Sequence, residues 1–471
     1  MVYSLAEQEL IKTIKILREK TKTPVAASYD VIVAGGGAAG IMAAVAAARH
    51  GVSVAMIEAA PAFGGAMLAG GISWLSFFNL FGQFHVEPKQ VLFGIPYEMI
   101  QRLEKEGSCP GFYEDLGPET QETRGTHANR EAIRHIYYQL MREHDIAVYL
   151  NTLVCDVIKE NGRVTGIIVQ TVNGRFSLRA KNVIDCTGDG DVAFLAGANC
   201  KEFLSHGVGM AFGVSNVDFK KALEFGRSHN ALIHDCTGEN GRYKGKLVKY
   251  ALRTERIPEL KKGVQKSGIH GSFCMTIAHD GEASYINGVN AAGGGNCLDS
   301  EKTTDTILTL RDNIKKSTEF LKREIPGFEN AHLSWSSPVI GPRHTRYVEC
   351  EYDISQEHVQ KAWIPEDSIG LFGSQDAHFL GRVIDGGKWY GIPYRALIPK
   401  FVENVLVAGR MISSDWIAHM STRLIGSCFI QGQAAGTAAA LAVQKQCSVR
   451  EVDIMLLRDI LKQDKVYLGD E

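Results

Sequence analysis

Nowhere in the 471 residues do two cysteines stand in CxxC spacing. The ten that occur, Cys109, Cys155, Cys186, Cys200, Cys236, Cys274, Cys297, Cys350, Cys428 and Cys447, are scattered along the chain. Disulfide frameworks, zinc sites and iron-sulfur clusters need close, patterned ligands, so the chain is expected to carry reduced thiols in a cytoplasmic setting and no metal site. No run of about eighteen apolar residues occurs, which excludes a membrane-spanning helix. There is no basic block, and a net charge of -2 gives no electrostatic case for nucleic acid or an anionic membrane. The opening MVYSLAEQELIKTIKILREK has no continuous apolar core of the signal-peptide kind. Its Leu10, Ile11, Ile14 and Leu17 form one stripe, suited to packing on the body or on a second subunit of a homo-oligomer.

What is present is an ordinary globular balance, 45% hydrophobic and 22% charged, in a chain long enough for two to three domains. Residues 29–58 organise the rest. Apart from Asp30, residues 29–34 are an apolar run with the β-branched Val31, Ile32 and Val33, ending at Gly35, Gly37 and Gly40 in GxGxxG spacing. Residues 39–50 are nearly all small or apolar, Gly51 stands where a helix C-cap belongs, and an apolar run over 52–57 stops at Glu58. Strand, glycine turn, helix, strand and acid in that order make a dinucleotide site. Gly35 permits the tight turn, Gly37 the approach of a pyrophosphate, and Gly40 close helix–strand packing, while Glu58 accepts from ribose hydroxyls.

A second cluster of small residues follows from Gly64-Gly65 to Gly71. The pair DVIVAGGGAAG and IEAAPAFGG resembles the opening of the glutathione-reductase-type flavoproteins. That resemblance implies FAD, with Gly35, Gly37, Ala39 and Gly40 at the turn, Glu58 on the adenosine ribose, and Gly64 and Gly65 beside pyrophosphate and flavin. Val154 matches the position that contacts adenine through its backbone, and Gly188 the Thr-Gly motif that returns the chain to the FAD domain. Near the other end, IPYRALIPK, NVLVAGRMIS and STRLIGSCFIQGQAAGTAAALA resemble the FAD-dependent oxidoreductases, relatives of the fumarate reductase flavoproteins. Gly409 and Arg410 fall at the cofactor there; Arg410 replaces the aspartate of many related flavoproteins and is suited to phosphate or structure rather than chemistry. A small-residue helix over 432–440 can approach a neighbour's backbone, with its positive end toward a reduced flavin.

Between these parts the reading expects a helix at 94–107, another at 129–144, strands at 147–150 and 152–158, and a hairpin over 164–180 turning at Asn173-Gly174. A separate strand is expected at 183–188. The expected fold is α/β, a Rossmann-like FAD-binding domain whose parallel sheet carries a β-hairpin insertion, plus an inserted α+β substrate domain. The boundaries are an N-terminal helical extension at 1–28, the first part of the FAD domain at 29–199, the substrate domain at 200–385, the second FAD part at 386–447, and a C-terminal helix and tail at 448–471.

A flavin carries the redox chemistry, so the protein must supply orientation, a proton donor or acceptor, and charge. His419 can exchange a proton near neutrality, and its alternative is a structural histidine bonded to backbone. Arg423 can clamp a carboxylate or merely tie the domain by a salt bridge. Arg343 is the candidate of the GPRHTRYVE segment, and Tyr390 and His378 are weaker candidates, each also explained as packing or loop. The expected activity is hydride transfer between a small polar substrate bearing a hydroxyl, amine or carboxylate and flavin N5, with an external electron acceptor or donor. The alternatives are reduction of an activated C=C bond and non-redox isomerase or hydratase chemistry.

Overall fold

The computed structural model describes residues 21–71, 74–79, 86–114, 124–205, 207–279, 282–291, 295–374 and 384–469. The stripe at Leu10 to Leu17 and His378 lie outside them.

Among the described residues a sheet of seven strands holds the first core. Its centre is parallel: Val25–Ala34 lies between Val54–Ile57 and Gly174–Asp185, with Ala147–Tyr149 beyond the former and Val405–Val407 beyond the latter. Val31 to Ala34 are wholly buried, as expected of β-branched residues in a parallel sheet covered on both faces. Each such Val or Ile contributes about 1.5–3 kcal/mol of burial free energy. The edge is a three-stranded antiparallel meander of Leu153–Glu160, Arg163–Thr171 and the first half of Gly174–Asp185. The hairpin insertion is therefore present, but the separate strands expected at 175–180 and 183–188 are one strand of 12 residues. Its start pairs with Arg163–Thr171, and its end runs between Val25–Ala34 and Val405–Val407. The polar Lys181 and Asn182 sit inside it, Asn182 donating its side-chain amide to the Ala439 carbonyl at 3.3 Å.

Two helices cover this sheet centre and touch backbone to backbone. A Cβ added at Gly432 would lie 2.1 Å from the Ala39 carbonyl oxygen, and one at Gly436 would lie 2.1 Å from that of Ala43. The matched steps of four show that Ala38–Arg49 and Ile425–Lys445 run parallel, with their N-termini toward the same end. The long helix starts seven residues before the expected 432, because Gly426 and Ser427 are small enough to continue it through the core.

A second sheet, antiparallel among its described strands, carries Leu232–Thr237, Leu247–Arg253, Ile269–His279, Glu282–Ala291, Val208–Gly209 and Gly341–Pro342 in that order. Phe212–Ser215 joins it to His332–Ser336. The amphipathic helix Ser300–Glu324 buries Leu310, Ile314, Phe320 and Leu321 in its core. The second core gathers residues 208–331, whereas Val348, Cys350, Ile354, Ile369 and Ile384 pack in the first.

Candidate functional site

The glycine turn is held by Glu58. Its Oε2 accepts the Gly36 N–H at 2.7 Å and its Oε1 the Ala60 N–H at 2.7 Å, so one carboxylate fixes both the turn and the loop after the second strand. The Gly64 N–H donates to the Gly36 carbonyl at 2.9 Å, bringing the double glycine against the same turn. Asn151 and Thr152 donate to the carbonyls of Ala60 and Glu58 at 3.1 and 3.0 Å, which sets Val154 just beyond this loop, paired with Val169 at an irregularity of the meander.

The glycines divide by what surrounds them. Gly35 has φ +104° and a Cβ there would meet the Cys186 carbonyl oxygen at 2.3 Å; at Gly40 it would meet the Gly35 carbonyl oxygen at 1.8 Å. These two are demanded by protein packing. Gly37 has ordinary extended backbone, and the nearest atom to an added Cβ is the Gly65 Cα at 3.8 Å. Nothing in the protein requires glycine at that position, as expected where a ligand approaches the backbone. The Cβ directions of Gly188 and Gly409 are similarly open, with the nearest neighbours at 3.6 Å (Arg410) and 3.5 Å (Met411). Beside them stands the N-terminus of Ala38–Arg49, whereas Ile425–Lys445 begins seven residues before Gly432, about 10 Å further along. The first of these helices has neither a side-chain cap nor an acid in its first turn, so its amides and dipole are available to an anion. Ala39 lies in the first turn of one of these helices, its carbonyl against Gly432 of the other. An open glycine cradle facing one uncapped helix end fits the pyrophosphate of FAD.

Arg410 is engaged by the protein. Its guanidinium donates to the Gly188 carbonyl at 3.2 Å, the Pro342 carbonyl at 3.1 Å and the Asp189 carboxylate, which also accepts from Thr345 at 2.6 Å. Arg410 thus joins the cofactor loops to the end of the second sheet. Gln431, fully buried, performs the neighbouring tie: its Oε1 accepts the Gly409 N–H at 2.7 Å, and its Nε2 donates to the Thr422 carbonyl at 2.9 Å.

The turn at His419–Thr422 is built by Asp415, whose carboxylate accepts the N–H groups of Ile417 and Ala418 at 2.9 and 2.8 Å. It carries His419 into a buried aromatic cluster. The His419 ring centroid lies 4.5 Å from that of Tyr347 and 4.7 Å from that of His344, and His344 stacks on Trp416 at 5.2 Å. His419 Nε2 stands 2.8 Å from the Arg343 carbonyl oxygen, and Nδ1 has no hydrogen-bond partner among the described residues. A carbonyl only accepts, so Nε2 carries the proton and Nδ1 is a bare lone pair. Burial first, then the charges of His344, Arg423 and Arg410, holds the imidazole well below its ordinary pKa, so it is neutral at pH 7.

The other expected residues take different places. Arg343 meets His419 through its carbonyl; one guanidinium nitrogen lies over Gly207, where an added Cβ would approach it to 2.4 Å. Arg423 follows the His419 turn, and its charge acts on both His419 and Tyr347. Tyr390 is fully buried and donates its hydroxyl to Ser421 at 3.0 Å; Ser421 passes a bond to the Ser374 carbonyl. Burial raises the Tyr390 pKa, and its phenol braces the turn bearing His419. His344, Tyr347, Trp416 and Gln431 were not singled out. His344 and Tyr347 lie inside the GPRHTRYVE segment, but spacing along the chain carries no sign that Trp416 and His419 pack on them.

A family model described as FAD dependent oxidoreductase matches residues 30–461. No curated protein matches the sequence. Among solved structures, a geranylgeranyl bacteriochlorophyll reductase-like protein from Thermoplasma acidophilum is similar over 94% of this chain and 84% of its own, at 14% identity and a TM-score of 0.49. A p-nitrophenol 4-monooxygenase from Pseudomonas putida is similar over 94% and 90%, at 11% identity and a TM-score of 0.46. A flavin-dependent brominase is similar over 92% and 84%, at 13% identity and a TM-score of 0.47.

Proposed function

This chain belongs to the FAD-dependent oxidoreductase family, and from that premise we propose that it oxidises a small polar organic substrate, with His419 taking the proton. FAD supplies the two-electron acceptor at flavin N5. Gly35, Gly37, Ala39, Gly40, Gly64, Gly65, Gly188 and Gly409 form its cradle, Glu58 and the backbone at Val154 its adenosine end, and Arg410 a brace between cofactor loops and the second sheet.

One observation carries the reading. The Arg343 carbonyl fixes the His419 tautomer and leaves Nδ1 an unprotonated base, without a partner among the described residues, in a buried site. A general base needs its lone pair free and its imidazole neutral before reaction, and both conditions hold. The charges of Arg423 and Arg410 near the ring favour negative charge developing on a substrate oxygen. Reduction of an activated C=C bond is the less favoured direction, because a neutral Nδ1 has no proton to donate. Tyr390 acts in this proposal as a positioning residue. An external acceptor reoxidises the cofactor, and the scattered thiols support a cytoplasmic setting.

The test is anaerobic titration of the yellow, FAD-loaded protein with polar alcohols, amines and unsaturated acids, following the visible flavin band. Bleaching by an alcohol or amine, lost in His419→Gln with FAD retained, is the expected result. Reoxidation of the reduced protein by an unsaturated acid, with no bleaching by any alcohol or amine, would reverse the direction proposed here.

A further inference from the structure

The Tyr347 hydroxyl is a buried polar group with no hydrogen-bond partner among the described residues. Tyr347 is 2% exposed and His419 0%, their rings are 4.5 Å apart, and among the described residues neither the Tyr347 hydroxyl nor His419 Nδ1 has a hydrogen bond. A buried hydroxyl without a partner costs about 1–3 kcal/mol, and Phe in its place would escape that cost. The neighbours of Tyr347 are aromatic rings, Phe203 at 4.8 Å and His344 at 6.0 Å, which a phenylalanine would pack against equally well. The hydroxyl therefore needs an explanation outside the resting fold.

The two bare atoms are complementary in chemistry. His419 Nδ1 can only accept, since its proton is on Nε2, and the Tyr347 phenol, its pKa pushed up by burial, stays protonated and can donate. A ligand atom that satisfies both must donate and accept at once. A carboxylate only accepts and an ammonium only donates, and the charges of Arg423 and Arg410, which act on both rings, oppose an ammonium. An alcohol oxygen meets both demands; a neutral amine nitrogen would too, but near pH 7 an alkylamine is held almost wholly as the ammonium that these charges oppose.

Resting on the reading of this cluster as the reaction site, we infer that Tyr347 and His419 together hold one oxygen of an alcohol substrate, which makes the substrate a hydroxyl compound rather than an amine. Tyr347 donates to that oxygen, and the oxygen donates its proton toward His419 Nδ1. A ketone of the same skeleton accepts from Tyr347 alone while His419 is neutral, so it binds more weakly than the alcohol.

The experiment uses binding rather than turnover. FAD-loaded protein carrying 3-fluorotyrosine at position 347 is titrated anaerobically with 2-propanol and with acetone, following the ¹⁹F resonance; the same titrations on wild type and Tyr347→Phe follow perturbation of the flavin band. Saturable responses are expected, tighter for 2-propanol than for acetone, with Tyr347→Phe weakening both by about 5- to 10-fold, the loss of one neutral hydrogen bond. The melting temperature of Tyr347→Phe should equal or exceed that of wild type, since an orphan hydroxyl has been removed. No saturable response in the wild type, equal affinity of Tyr347→Phe for both probes, or a lowered melting temperature would each overturn the inference. If alcohols bleach the flavin while Tyr347→Phe binds both probes as wild type does, only the assignment of Tyr347 falls. If no substrate class exchanges electrons with the flavin but the probes bind as expected, the oxidation falls and the oxygen site stands.

Discussion

Replacing Gly436 by alanine tests the helix pair that supports the cofactor cradle. The new Cβ would stand 2.1 Å from the Ala43 carbonyl oxygen, 2.8 Å from its carbon and 2.9 Å from its Cα. All three are backbone atoms of a buried helix, so no side chain can swing aside. Restoring ordinary contact requires the helices to part by more than about 1 Å, which also loosens the Gly432 contact with Ala39 one turn away. Overpacking of this kind costs about 1–3 kcal/mol at one site, and two adjoining contacts are disturbed here. Against this, alanine gains about 1 kcal/mol of helix propensity over glycine. The net expectation is a loss of about 2 kcal/mol, read as a lower urea midpoint by circular dichroism, together with reduced FAD content because the separation reaches Ala39. A Gly436→Ala protein as stable as wild type, or more stable by the propensity term, would refute the backbone-to-backbone contact.

Two further outcomes follow from the site. Glu58→Ala leaves the Gly36 and Ala60 amides without their acceptor, a loss of about 1–3 kcal/mol; the protein should purify with a lower ratio of flavin to protein absorbance, and unchanged flavin content would remove Glu58 from the cradle. The pH behaviour of His419 has a definite sign. Its folded pKa lies well below 6.5, so as pH falls below 6.5 the unfolded chain takes up a proton that the folded chain refuses, and stability is lost from there downward. For the same reason the rate of flavin bleaching by an active alcohol should stay level from neutrality down past 6.5, with its acid limb below that value; a limb centred at or above 6.5 would contradict a depressed imidazole.

The turn, the first helix and Glu58 were legible because each is set by neighbours close in sequence: a glycine where φ is positive, small residues where helix meets strand, an acid two residues from the amide it binds. Gly174–Asp185 is one strand where two are expected, because the polar Lys181 and Asn182 between its apolar runs are placed by partners far along the chain, Asn182 by Val31 and Ala439. The helix expected from 432 begins at 425, since the larger Phe429, Ile430 and Gln431 interrupt the small-residue pattern yet are buried in the same helix. At the candidate site the atoms that the fold brings together are set by packing between segments distant in sequence. Arg343 was expected to offer its guanidinium, and it is the carbonyl that fixes His419. Tyr347 drew no notice because its value lies in a bond that the fold withholds, and that is a property of packing.

The pairing of Ala38–Arg49 with Ile425–Lys445 also bears on how the protein is made. A ribosome delivers the first helix almost 400 residues before the second, and the strand Val405–Val407 that completes the sheet arrives only just ahead of it. Until then the glycine turn has its sequence but neither its opposing helix nor Gly409, and the apolar face around Ala39 and Ala43 has nothing to pack on. Contacts of such separation form late, and exposed apolar surface in the interval invites aggregation. Cofactor loading therefore belongs after synthesis, and a chain cut short of residue 425 keeps the whole fingerprint yet has no second helix to close the site.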